Sequence, residues 1–401
     1  MSYKMVSLSR PAKGSDVTKF GYKNAEKVHD FHMSFPEYKM TPLAELKNLA
    51  VHLGLGNIFV KDESYRFGLN AFKVLGGSYA IGSYIAKKLG MDISELPYDV
   101  MTSAAIREKL GSVTFVTATD GNHGRGIAWT ANRLKQKSVV YMPKGSALER
   151  LKNIQALGAD ASITDLKYDD AVRQAKAHAD KFGWALIQDT DWEGYMEVPT
   201  WIMQGYTTMA WEAAQQLKNT KPTHIFLQAG VGAMSGAITG FFADLYGNGP
   251  DAPIITIVEP EKANCIYRTA EANDGKLHFA EGEMDTIMAG LACGEPCTTG
   301  WNILHDHADH FVSEPDSAAA TGMRVLGNPL AGDVQVISGE SGAATLGFVA
   351  QVMRKPELKG IKEELHLDAN SRILCFSTEG DTNKANYRRI VWDGTWPSIE
   401  D

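Results

Sequence analysis

The sequence predicts an α/β protein with two open, twisted parallel-sheet domains. Short apolar runs alternate with amphipathic helical runs from about residue 113 onward, and a second series of the same kind begins near Pro199. At 401 residues the chain also exceeds what one hydrophobic core ordinarily organises. Such alternation builds parallel strands joined by right-handed helical crossovers.

In chain order, residues 58–61 (IFVK) read as a strand that precedes the first series yet belongs with the second. Residues 113–118 form a strand and 124–134 a helix; 138–143 (SVVYMP) form a strand and 147–157 a helix. After the strand 161–164 (ASIT), Ala171, Val172, Ala175, Ala179 and Phe182 recur at helical spacing over 168–182, and 185–188 (ALIQ) is the next strand. In the second series Ile202, Tyr206, Met209, Ala213 and Leu217 line one helix face, with Pro199 suited to its first turn. Residues 223–230, 254–259, 334–338 and 372–378 read as further buried strands. The chain is expected to change domain more than once. Residues 1–74 with 191–401 make a large, discontinuous cofactor-binding domain, and 75–190 a small α/β domain, with the ligand in the cleft between them.

Composition narrows the function. A formal net charge of −8 argues against a nucleic-acid-binding surface. The first residues lack an apolar signal-peptide core, and no apolar run is long enough to span a bilayer, so the cytoplasm is the expected compartment. Four cysteines do not make a disulfide scaffold. Cys293 and Cys297 lack a second pair at zinc spacing, so no metal site is expected; a Cys265–Cys293 bridge stays open.

Four segments carry chemistry. In RFGLNAFKVLGGSYAI (66–81), Lys73 follows Phe72 in an apolar, glycine-flanked setting that can turn its amine into a nucleophile able to form a Schiff base. In TDGNHG (119–124), a polar loop with Asp120, Asn122 and His123 joins a strand to a helix; the plain alternative is helix capping. In QAGVGAMSGA (228–237), Gly230, Val231, Gly232, Ala233 and Met234 form a strand-to-helix turn whose N–H groups suit a phosphate. With Glu259 ending the next strand, that turn equally suits a nicotinamide dinucleotide. In FSTEGDTN (376–383), Ser377 places a neutral hydroxyl at a strand end.

Together these segments resemble the pyridoxal-phosphate enzymes of the tryptophan-synthase-β fold (fold type II), which include serine and threonine dehydratases. NAFK (70–73) is similar to the lysine motif of that group, although Asn70 stands where the motif has Ser. The resemblance implies that Lys73 and Phe72 hold the cofactor, Asn122 lies at its ring, residues 230–234 take its phosphate, and Ser377 faces the pyridine nitrogen. KDESYRFGLNAFK, TATDGNHGRG, QDTDWEGY, PTWIMQGY, MAGLACGEP and ISGESGA resemble, more narrowly, the diaminopropionate ammonia-lyase family. That family implies a homodimer acting on a small amino acid: 2,3-diaminopropionate of either hand gives pyruvate and two ammonia. Asp120 then stands where the dehydratases have a hydroxyl residue, as counter-ion for the second ammonium and as base for the D-enantiomer, with Lys73 serving the L-enantiomer. Asp189, after the strand 185–188, is a second candidate for the ammonium or for orienting the base. Glu340 is placed loosely near the ring edge, His123 reads as a packing or hydrogen-bonding residue, and Asp191 has no assigned role. The alternatives are a serine or threonine dehydratase of the same fold, a nicotinamide oxidoreductase, and a cofactor carrier without turnover.

Overall fold

The computed structural model describes residues 3–119 and 121–397. Its strands are β1 (Lys4–Ser7), β2 (Leu43–Glu45), β3 (Asn57–Asp62), β4 (Thr114–Ala118), β5 (Lys137–Met142), β6 (Asp160–Ile163), β7 (Ala185–Leu186), β8 (His224–Gln228), β9 (Ile254–Pro260), β10 (His310–Glu314) and β11 (Arg372–Ser377). They form two sheets, in two compact units.

The larger unit comprises residues 1–22, 40–65 and 209–401. Its sheet runs β1-β10-β9-β8-β11-β3-β2. The five inner strands are parallel, and β1 and β2 close the two edges antiparallel. The inner strands are buried along nearly their whole length, as expected where helices cover both faces of a parallel sheet. Ile58, Val60, Phe226, Val258, Val312 and Ile373 meet Met323 of the helix Asp316–Gly327 and Leu346 and Val349 of the helix Glu340–Arg354 in one core.

The strand expected at 334–338 does not form. Val336 N–H bonds to Leu326 O instead, and Gly339 N–H to Glu379 O, so the run enters the helix at Glu340 as an extended loop. Strands β1, β2 and β10 are missing from the sequence reading; in β10, His310, Ser313 and Glu314 interrupt the apolar signal although every residue in it is buried. Of the antiparallel edges, β1 lies within the first 40 or so residues, which carry no motif, and β2 follows just after them.

The smaller unit comprises residues 23–39 and 66–208, with an all-parallel sheet in the order β6-β5-β4-β7. Ala171, Ala175 and Ala179 of the helix Tyr168–Phe182 pack on Val116, Val139 and Leu186, as their spacing predicts. Phe182, at the end of that stripe, is 49% exposed. The unit takes in residues 23–39, 66–74 and 191–208 as well as the 75–190 expected from sequence, and aromatic packing supplies the reason for the first two. Phe31 meets Tyr79 at 5.5 Å between ring centroids, Phe35 meets Phe67 at 5.9 Å, and Phe67 meets Trp129 at 4.9 Å. Among the described residues, no helix is long and apolar enough to cross a membrane.

Candidate active site

Lys73 sits immediately before the helix Val74–Leu89, with its backbone already helical. The approach is tightly turned: Phe67, Gly68 and Asn70 all have positive φ. Asn tolerates that left-handed region better than most residues, which accounts for Asn70 where the wider group has Ser. Phe72 is buried against Tyr206 at 4.8 Å. The helix Asn122–Arg133 crosses close by, and Gly126 makes this possible. A Cβ there would lie 2.8 Å from Val74 Cα and 3.2 Å from Lys73 O. The loop-to-helix segment containing Asn122 and His123 is thereby held against the base of Lys73.

The Lys73 Nζ donates to Asp189 Oδ2 at 2.8 Å. Asp189 lies just beyond β7 and also accepts from Gln188 Nε2 at 3.3 Å. Gln188 is pinned in turn: its Oε1 accepts from Ala118 N–H, and its own N–H donates to Tyr195 Oη at 2.8 Å. Burial alone would raise the Asp189 pKa, but the Lys73 charge and then His123 outweigh it and hold the carboxyl well below the usual range. His123 is buried, with Nε2 2.8 Å from Ile187 O and Nδ1 3.8 Å from Asp189 Oδ2. Burial depresses its pKa, which favours the neutral ring. Asp120 lies outside the described residues.

In the larger unit, β8 ends at Gln228 and the helix Ala233–Tyr246 begins at Ala233. Gly232 turns the chain between them at φ +90°, a conformation glycine adopts without strain. The N–H groups of such a first helical turn lack intrahelical acceptors and suit an anion. Ser377, the last residue of β11, is fully buried and donates to Ser338 Oγ at 2.8 Å. Gln228 fixes this strand end, donating to Phe376 O and Thr378 Oγ1, both at 2.9 Å.

A family model described as pyridoxal-phosphate dependent enzyme matches residues 35–363. A diaminopropionate ammonia-lyase of Salmonella typhimurium is 51% identical over 368 residues, covering 91% of each chain. The Escherichia coli K12 enzyme is 50% identical over 377 residues, covering 94% of this chain and 93% of its own. The chain belongs to the diaminopropionate ammonia-lyase family of pyridoxal-phosphate dependent enzymes. The crystal structure of the holo diaminopropionate ammonia lyase from E. coli superposes with a TM-score of 0.92 at 46% identity, covering 98% of both chains. The same enzyme with an aminoacrylate–PLP azomethine reaction intermediate superposes at 0.89. Tomato threonine deaminase, at 18% identity and a TM-score of 0.74, shares the fold alone.

As a member of the diaminopropionate ammonia-lyase family this is a fold type II lyase, and its cofactor is pyridoxal phosphate. The residues present fit that group: a paired but partly accessible amine at Lys73, a turn at 230–234 whose N–H groups suit an anion, and a neutral hydroxyl at Ser377. Glu259 does not fit the nicotinamide reading. Its buried carboxylate accepts from the N–H groups of Ile266 and Tyr267 at 3.0 and 2.6 Å, capping the helix Cys265–Ala272. Glu340 opens its helix and accepts from Asn386 Nδ2. No disulfide joins any of the four cysteines, and Cys265 donates to Gly230 O at 3.4 Å.

Sequence reasoning missed Ser338, Gln228 and Gln188. Ser338 was hidden in an apparent strand. Gln228 ends a buried strand and Gln188 lies two residues beyond one, and a buried polar residue near a strand end was the signal available for both.

Proposed function

We propose that this protein eliminates ammonia from 2,3-diaminopropionate of either hand, giving pyruvate and two ammonia with the uptake of one water. The observation that supports it most is the Lys73–Asp189 pair, an amine held on a carboxylate, in a chain half identical to diaminopropionate ammonia-lyases over nearly its full length. When bound, pyridoxal phosphate supplies the electron sink for negative charge at the substrate α-carbon.

This chain's own residues do the rest. Lys73 and Phe72 hold the cofactor's reactive end, Asn122 its ring, residues 230–234 its phosphate, and Ser377 its ring nitrogen. A neutral hydroxyl at that nitrogen does not fully protonate it, which favours prompt β-elimination over transamination. Lys73 takes the α-proton of the L-enantiomer, and Asp120 that of the D-enantiomer. Asp120 also pairs with the β-ammonium, since a carboxylate selects a second positive charge where a hydroxyl does not. The β-amine departs only as ammonia, so it must carry its proton when the bond breaks. Asp189 orients Lys73 through their hydrogen bond. The enamine left after elimination hydrolyses in water to pyruvate and the second ammonia.

The working assembly in this proposal is a homodimer. Its compartment is the cytoplasm, in keeping with four cysteines that form no disulfide. Initial rates of pyruvate release from D- and L-diaminopropionate, beside D- and L-serine, test the substrate assignment. Faster release from both diaminopropionates is expected. Faster release from L-serine would return the chain to the dehydratases. Serine belongs in the comparison because the E. coli relative has been crystallised in complex with D-serine.

A further inference from the structure

We propose that His123 is a positioning residue that takes a proton on Nδ1 whenever the Lys73 nitrogen leaves Asp189, keeping the Asp189 carboxylate paired and in place. The proposal rests on the proposed function for the event that draws Lys73 away, its engagement with cofactor or substrate.

The geometry is specific. His123 Nε2 lies 2.8 Å from Ile187 O, so in the neutral ring Nε2 carries the hydrogen and Nδ1 the lone pair. That Nδ1 is buried and has no hydrogen-bond partner among the described residues. It points at Asp189 Oδ2, 3.8 Å away. Two acceptors therefore face each other in a buried place, which is tolerable because the Lys73 ammonium sits on the same oxygen at 2.8 Å. Without that ammonium, Asp189 keeps, among the described residues, the Gln188 amide at 3.3 Å as its side-chain donor. One proton gained from water at Nδ1 turns the acceptor–acceptor contact into an imidazolium–carboxylate pair and restores the local charge.

Among the described residues, the charged groups acting on His123 are Asp189, from the segment after β7, and Lys73, from the start of the helix Val74–Leu89. Asp189 favours the imidazolium; Lys73 and burial oppose it. Tyr195, beside Asp189, has its hydroxyl spent on Leu186 O and stays a neutral phenol, burial pushing its pKa up. The ring is thus poised to respond to one event, the departure of the lysine charge.

The test is histidine ring titration by nitrogen-15 NMR on cofactor-free wild type, Lys73→Ala, and Lys73→Ala with Asp189→Asn. The His123 signal is assigned by its loss in His123→Gln. An opposite charge at this range, no longer masked by the ammonium, is expected to raise the His123 pKa by about 1–2 units in Lys73→Ala, and the added Asp189→Asn change should abolish the rise. Equal titration in wild type and Lys73→Ala would overturn the proposal. A second arm uses His123→Gln, which can still donate to Ile187 O but cannot take a proton. Its kcat/KM–pH profile should lose the titration assigned to His123 and its kcat fall, with the visible absorbance of bound cofactor kept. A profile superimposing on wild type would also overturn it. Absence of diaminopropionate turnover by wild type strikes the proposed function alone, because the NMR arm needs no substrate.

Discussion

The Lys73 amine is bound to the Asp189 carboxylate at 2.8 Å, across 116 residues of sequence. The pair joins the start of one helix to the segment after β7, so the amine's direction is set by the smaller unit's own sheet. Lys73→Ala is expected to abolish the borohydride-sensitive visible absorbance and all turnover. Asp189→Asn keeps a side chain of the same shape without the charge. It is expected to retain cofactor but lower kcat/KM by about 10²-fold, the scale of a lost charged positioning contact. Steady-state kinetics and the absorbance spectrum check both.

The same pair sets a pH dependence. The Asp189 pKa is lowered in the folded state, so its stabilisation is present above the unfolded carboxylate pKa of about 3.9 and is lost as pH falls through the folded value. Wild-type and Asp189→Asn stabilities in urea, compared from pH 7 down to pH 3, should converge only toward the acid end. A constant difference across that range would contradict the pairing.

Asp120→Asn should keep the cofactor while losing the D-substrate far more than the L-substrate. This expectation rests on sequence. Equal loss on both hands, read from kcat/KM for each enantiomer, would make Asp120 chiefly a substrate-binding group.

Much of this arrangement was legible in the sequence, for a physical reason. Buried parallel strands are continuous apolar runs, and the residues that touch a cofactor in such folds sit at strand ends and helix starts, where glycine, lysine and serine stand out. Lys73, Gly232 and Ser377 lie at such positions. What was not legible depends on tertiary context. The HFVSE strand, β10, reads as polar and is a strand because neighbours bury it. VQVIS alternates like a strand, yet its backbone bonds go to Leu326 and Glu379, and its Ser338 serves Ser377 instead. Asp189 was a second candidate from the sequence, but its hydrogen bond to Lys73, across 116 residues, was not legible there.

Gly126→Ala probes the backbone contact beneath Lys73. The added Cβ would lie 2.8 Å from Val74 Cα, which is backbone and cannot swing aside. A loss of about 1–3 kcal/mol is expected from overpacking of this kind, with weaker cofactor retention because Lys73 moves. Denaturant melts and cofactor titration check it; an unchanged melt would show that the two helices separate freely.

Glu314 offers an independent test of the core. It is fully buried, both carboxylate oxygens lack partners among the described residues, and burial, with Asp316 second, pushes its pKa well up. An acid whose folded pKa is raised contributes most below its unfolded pKa of about 4.3, and that contribution is lost as pH rises. Glu314→Gln should therefore stabilise the protein at pH 8 and do so less at pH 5.5, as measured by urea denaturation. Destabilisation at pH 8 would mean that the carboxylate is ionised and paired.

The central claim is elimination from a diamino acid, and product stoichiometry tests it most directly. Purified holoenzyme is given each enantiomer of 2,3-diaminopropionate, and pyruvate and ammonia are measured in the same samples. Two ammonia for each pyruvate, from both enantiomers, is the expected result. Release of ammonia without pyruvate, or no reaction with either enantiomer while L-serine is consumed, would contradict it.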